Sequence, residues 1–199
     1  MIDFNKNEKH CYADTNYVRY HCYTGTNYVR YQRLESESDY YQFAVHYGLI
    51  KESDLPKYQA SSGSTQFLID EIDSRLKGIK ALKASGYKGN ITHQDLYSRF
   101  DLVGEDEETI YCEVKCRNIP STLYEEDILS YPKYKELVGY DNAYYICCFS
   151  DNVSYIYNVN NCKVREGYTH HNKYTSIASE KINEKMVYFN KKDGSRVEF

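Results

Sequence analysis

Apolar positions recur along this chain with two different periods. Over residues 65–84, Leu68, Ile69, Ile72, Leu76 and Ile79 fall on one face of a helix, so the spacing predicts a long amphipathic helix stopped by Gly86. Glu71 and Asp73 flank that stripe, and Lys77, Lys80 and Lys83 fall on the solvent side. A shorter helix is predicted over 38–47, closed by Gly48, with a serine-rich loop at 61–64 between the two. Further along, the period changes to two. Residues 100–103 end an alternating stretch, and residues 109–116 alternate throughout. Ile110, Cys112, Val114 and Cys116 then share one face of a strand, and Tyr111, Glu113 and Lys115 share the other. A hairpin through the acidic loop 105–108, itself read as a solvated tip, lays Asp101 near Glu113 on the polar face.

Residues 122–125 read Thr-Leu-Tyr-Glu, a capping box, and predict a helix that Pro132 kinks or restarts and Gly139 closes. The apolar run 143–149 predicts a central strand, turned by 150–152 into another at 153–159. A helix is expected near 176–183, and a terminal hairpin pairs 186–189 with 196–199 around Asp193-Gly194. The order helix, strand, strand, helix, strand, strand predicts an α/β (α+β) fold with a mixed sheet covered by helices on two faces.

The first 60 residues read differently. Cys11 to His21 and Cys22 to Gln32 form an 11-residue tandem repeat, each copy carrying Tyr-Val-Arg-Tyr. The expected organisation is a Tyr-rich extension over 1–60 and a core domain over 61–199. The chain has 24 tyrosines, spread along its length, a distribution more in keeping with coding bias than with a stacking surface. Its 7 cysteines have no spacing that suggests a disulfide framework, and Cys112, Cys116, Cys147 and Cys148 read as small buried hydrophobes. The N-terminus lacks the apolar segment of a signal peptide, and no apolar run is long enough for a membrane span, so a cytoplasmic, membrane-free protein is expected. With 25 basic against 29 acidic residues, the net charge of -4 neither advertises a nucleic-acid binder nor excludes one that works through a metal and local basic patches.

The polar face of the predicted hairpin carries the chemistry. Phosphodiester hydrolysis needs hard oxygen ligands for a metal, which neutralises the phosphate and acidifies a bound water. It also needs a cation near the charge that grows on phosphorus. Asp101 and Glu113 supply carboxylates, Val114 supplies a backbone carbonyl, and Lys115 supplies the cation.

The run Phe-Asp-Leu-Val-Gly, then Tyr-Cys-Glu-Val-Lys-Cys-Arg, set between a helix before and a helix and apolar strand after, resembles the PD-(D/E)XK nuclease superfamily over roughly residues 65–159. That resemblance implies a restriction-endonuclease-like αβββαβ core and Mg²⁺-dependent cleavage of nucleic acid, with Mn²⁺ as a substitute metal. It implies Asp101 and Glu113 as metal-binding catalytic acids and Lys115 as the catalytic lysine. It also implies an acid on the preceding helix, a role for Glu71 or Asp73 ahead of Asp70. Two departures stand out: Phe100 replaces the proline often found before the first acid, and Asp127 with Tyr131 replaces a Gln-Tyr pair. Lys133, Tyr134 and Lys135 are candidates for backbone phosphate contacts.

The expected function is therefore a DNA endonuclease, with RNA left open as a substrate and a homodimer expected for duplex cleavage. The alternative is a nuclease-fold module that binds nucleic acid or a partner without cutting. Other constellations are weaker. His10-Cys11 with His21-Cys22 offers zinc ligands that are adjacent and so awkwardly placed. His170-His171 with Cys162 has no catalytic spacing, and no Walker-type phosphate loop occurs.

Overall fold

Ser36 starts the first helix, α1 (Glu37–His46), with a reciprocal capping box: its hydroxyl accepts from the Asp39 N–H at 3.3 Å, and the Asp39 carboxylate accepts from the Ser36 N–H at 2.9 Å. Gly48, at φ +69°, ends it in the left-handed conformation that glycine tolerates best. The computed structural model describes Leu34, residues 36–174 and residues 179–199, with backbone only over 170–174 and 179–182. The tandem repeat and its His-Cys pairs lie outside the described residues.

A single 3-10 turn (Glu52–Asp54) and α2 (Leu55–Gln59) lead into α3 (Ser62–Ala84), which Ser61 caps through the Ser64 N–H. Leu68, Ile72, Leu76 and Ile79 are buried along α3, as the spacing predicts, while Ile69 is half-buried. Helices α1 and α2 pack on α3 and share its core.

The strands follow as β1 (Asn90–His93), β2 (Leu102–Glu105), β3 (Thr109–Arg117), β4 (Glu126–Ser130), then α4 (Tyr131–Leu137), β5 (Ala143–Phe149), β6 (Val153–Asn158), β7 (Val164–Tyr174), β8 (Ser179–Asn190) and β9 (Ser195–Glu198). They form a six-stranded sheet in the order β1-β2-β3-β5-β6-β9 and a three-stranded sheet in the order β4-β8-β7. Within the larger sheet β3 and β5 are parallel and the other neighbours antiparallel. The protein is thus a mixed α/β fold whose mixed sheet is flanked by helices.

The two faces of the large sheet are buried differently. Ile110, Cys112 and Val114 of β3, with Ile146 and Cys148 of β5, pack against α3 and α1. Tyr145, Cys147 and Phe149 of β5 face α4 and the small sheet through Leu137, Val187 and Phe189. Gly78 of α3 lies so close to β3 that a Cβ there would fall 2.6 Å from a Val114 methyl. The smallest residue therefore sets how near the helix approaches the strand that carries Glu113 and Lys115. Cys112, Cys147 and Cys148 are buried free thiols, in keeping with their reading as small hydrophobes.

Three expected elements differ. The capping box at 122–125 starts no helix; β4 occupies Glu126–Ser130, and α4 begins only at Tyr131, with Pro132 in its first turn. Asp127 and Leu129 are buried while Glu126, Ile128 and Ser130 are half-buried, a period of two that suits pairing with β8. Proline is tolerated in the first helical turn and not beyond it, which fixes where α4 can start. The helix expected near 176–183 is instead strand from Ser179 onward. The terminal hairpin is absent too: residues 186–189 belong to β8 in the small sheet, and β9 pairs with β6 in the large one. The chain changes sheets at Gly194, where Tyr157 leaves no room for a Cβ.

Candidate active site

The hairpin of β2 and β3 brings the sequence-predicted residues together. Its register pairs Leu102 with Cys112 and ends there; one residue earlier, the Asp101 N–H donates to the Cys112 carbonyl at 3.0 Å, which sets Asp101 against β3 beside Glu113. The Asp101 carboxylate is held on both sides. Its Oδ2 accepts from the Val114 N–H at 2.8 Å, and its Oδ1 lies 3.2 Å from Arg75 Nη2. In a strand, the N–H and C=O of one residue leave on the same edge. The Val114 carbonyl therefore points to the edge on which the Asp101 carboxylate lies.

Glu113 is only 1% exposed. Its Oε1 lies 3.0 Å from Lys115 Nζ, and its Oε2 lies 3.4 Å from Lys133 Nζ of α4. That Oε2 is buried and accepts no hydrogen bond. Burial, then the charge of Asp101, pushes the Glu113 carboxyl up to about 7, against the pull of Lys115 and Lys133. Lys115 is raised: burial works against its charge, but Glu113, Asp101 and Glu71 together outweigh that cost. It is an ammonium at neutral pH and a donor, not a base.

Among the three helix acids, Glu71 is the one whose surroundings include the hairpin. Its carboxyl is raised by burial and then by Asp101, with Lys115, Arg75 and Lys133 opposing, and its Oε2 lies 3.8 Å from Arg75 Nε. Asp73 instead accepts from the Tyr40 hydroxyl at 2.9 Å, and Asp70 accepts from Gln66. The cluster thus sets three carboxylates (Glu71, Asp101, Glu113) among three cations (Arg75, Lys115, Lys133).

Arg75 and Lys133 enlarge the predicted set. Arg75 is 1% exposed and donates to the carbonyls of Gln94 and Asp101 as well as pairing with the Asp101 side chain. The helical spacing does put position 75 on the buried stripe, three residues after Ile72 and four before Ile79, although its residue type points to solvent. Lys133, one of the expected phosphate contacts, also donates to the Arg99 carbonyl at 2.9 Å, which ties α4 to the loop before β2. Tyr134 and Lys135 are not among the groups that surround Glu113.

Among the described residues, no three His, Cys, Asp or Glu side chains stand close enough together to hold a metal ion as they are now oriented. The donor set nonetheless suits a hard divalent cation. It offers carboxylate oxygens from Asp101, Glu113 and Glu71 and the carbonyl of Val114, and Glu113 Oε2 lacks a hydrogen-bond donor. The chain matches no protein-family model, no curated protein and no solved structure. Among the described residues, no helix is long and apolar enough to cross a membrane.

Proposed function

We propose that the chain is a Mg²⁺-dependent nuclease of the PD-(D/E)XK type that cleaves DNA internally. The observation that carries this reading is the Asp101 carboxylate seated on the Val114 N–H, next to Glu113 along β3, with Lys115 paired to Glu113 and Glu71 approaching from α3. The order α3, β1, β2, β3, α4, β5, with β5 parallel to β3, supports a restriction-endonuclease-like core into which β4 is inserted.

Asp101, Glu113 and the Val114 carbonyl would hold the cation, with Glu71 as a further acid. When bound, the cation neutralises the scissile phosphate and acidifies a water. With all three carboxylates ionised they balance the three cations, so a bound divalent ion would leave the site net positive toward a phosphodiester. Lys115 holds the attacking oxygen as a hydrogen-bond donor and faces the charge that develops on phosphorus. Arg75 keeps Asp101 turned toward the Val114 edge.

The test is supercoiled plasmid incubated with the protein in Mg²⁺, in Mn²⁺ and in chelator. Cleavage is expected in either metal, none in chelator, and a loss of about 10²–10³ in rate for Lys115→Ala. Unchanged nicking by Glu113→Gln would refute the assignment. A second reading, a nuclease-fold module that binds without cutting, draws on the ion pairs themselves: Asp101 and Glu113 are already matched by Arg75, Lys115 and Lys133. Such a module would show no Mg²⁺-dependent rise in melting temperature that Asp101→Asn removes.

A further inference from the structure

A cavity of about 520 Å³ opens between the end of β3 and the small sheet, walled by Arg117, Tyr124, Asp127, Phe149, Tyr188 and Asn190. Arg117 follows Lys115 by two residues on the same face of β3, about 7 Å further along the strand. The cavity therefore begins roughly one nucleotide from the candidate site. We propose that it receives one nucleobase of the substrate strand, unstacked from its neighbours, with Tyr124 as the stacking platform; the proposal rests on the nuclease reading of the adjoining site.

The charge of the lining rejects a phosphate. Glu125, Glu126 and Asp127 all line the cavity, Glu125 exposed, Glu126 paired with Arg165 and Asp127 with the Tyr157 hydroxyl. The cations around it are spent: Arg117 donates to the Ile128 carbonyl at 2.7 Å, and Lys191 donates to the Ser121 and Tyr124 carbonyls and lies 3.6 Å from Asp127. An anionic backbone is thus repelled here and attracted at Lys115 and Lys133, whereas a neutral, planar group is accepted. The exposed Glu125 carboxylate at the cavity wall is an acceptor suited to the exocyclic amines of cytosine and adenine.

The platform is built in advance. Tyr124 is 62% exposed, yet its backbone is pinned: Lys191 Nζ donates to its carbonyl at 2.8 Å, and the Lys191 N–H donates to the Glu125 carbonyl at 3.0 Å. A large ring displayed on a fixed loop loses little freedom when a base stacks on it. An apolar cavity of this size with a few polar groups at its wall is of the kind that binds small molecules, and a base and sugar fit within it.

The experiment has two arms. In the first, deoxycytidine and deoxyadenosine are titrated into the full chain and followed by saturation-transfer NMR. Transfer to the base protons is expected, with affinity about tenfold lower in Tyr124→Ala and retained in Tyr124→Phe. Absence of transfer, or equal binding by Tyr124→Ala, overturns the pocket. In the second, wild type and Tyr124→Ala cut an oligonucleotide and its counterpart with an abasic residue beside the cleaved bond. Tyr124→Ala is expected to raise KM about tenfold on the intact strand and to match wild type on the abasic one; equal losses on both overturn the proposal. No cleavage by wild type at all would sink the nuclease reading and the assignment to a substrate strand, while the nucleoside titration would still decide the pocket.

Discussion

Arg75 grips Asp101 from behind: its Nη2 lies 3.2 Å from the carboxylate Oδ1, and its Nη1 donates to the Asp101 carbonyl at 3.1 Å and to that of Gln94. One guanidinium so fixes both the backbone and the side chain of the first acid. Arg75 is buried in α3, and the pair is closed to water on one side. Removing Arg75 leaves a buried charge and takes the donor from the Gln94 carbonyl, while the Asp101 carbonyl keeps the Gln94 N–H. Arg75→Met is expected to cost about 3–5 kcal/mol in urea unfolding. Arg75→Lys keeps the charge but loses the fork, and should recover only part of that. A loss under about 1 kcal/mol for Arg75→Met would mean that the pair does not organise the site.

Glu113 ties stability to pH. Its folded-state carboxyl sits at about 7, above its ordinary value, so between the two the folded protein keeps a proton that the unfolded chain has released. Stability therefore falls as pH rises through that window and is fully retained below it. Glu71 shifts in the same direction and adds to the trend. Glu113→Gln, which carries no charge to bury, is expected to melt higher than wild type at pH 8 without metal and to flatten the decline between pH 5 and 8. Mg²⁺ should reverse the decline, because a cation on Glu113 favours the ionised carboxylate. Melting temperatures in Mg²⁺ and in chelator across this range check both; a wild type more stable at pH 8 than at pH 5 in chelator would contradict the assignment.

Much of this site was legible from local pattern. The alternation through residues 109–116 fixed which side chains share a face, and the short acidic loop fixed a hairpin that brings Asp101 to the Cys112–Val114 stretch beside Glu113. Arg75 was not legible. Its position lies on the apolar stripe, three residues after Ile72 and four before Ile79, but what makes burial of an arginine possible there is the carbonyls of Gln94 and Asp101, which arrive from later in the chain. The choice between Glu71 and Asp73 was equally non-local, since both flank the same stripe and only Glu71 comes within reach of the hairpin's charges. At 122–125 a local capping signature misled because β4 is completed by β8, about 60 residues further on. The four residues of β1 carry too little pattern to announce a strand.

Lys133 links α4 to the chemistry. Its ammonium lies 3.4 Å from Glu113 Oε2, the oxygen that lacks a hydrogen-bond donor, and donates to the Arg99 carbonyl. Lys133→Met removes a charge that lowers the Glu113 carboxyl, so that carboxyl rises further. The acidic limb of the cleavage rate is then expected to move to higher pH, with the plateau reduced less than in Lys115→Ala. Rate profiles from pH 5.5 to 9 in saturating Mg²⁺ provide the check, and an unmoved limb would disconnect Lys133 from Glu113.

Gly78 and Val114 set the distance between α3 and β3. A Cβ on residue 78 would fall 2.6 and 3.0 Å from the two Val114 methyls and 3.3 Å from a Leu102 methyl, the first closer than packed atoms tolerate and the other two tight. Both neighbours are buried, so there is no empty space for them to retreat into. Gly78→Ala gains helix propensity, worth about 1 kcal/mol, but must displace β3 or strain its rotamers, which costs about 1–3 kcal/mol. The net effect is expected to be destabilising by about 1 kcal/mol. Because β3 carries Glu113 and Lys115, the displacement should also lower cleavage more than stability alone accounts for. Val114→Ala removes the opposing methyls and costs stability by itself through the cavity it leaves. Combined, the two changes should be less destabilising than their sum by about 1 kcal/mol or more, the signature of a direct contact. Denaturant unfolding of the wild type, both single variants and the pair closes the cycle, and strict additivity would show that this contact does not set the position of the strand.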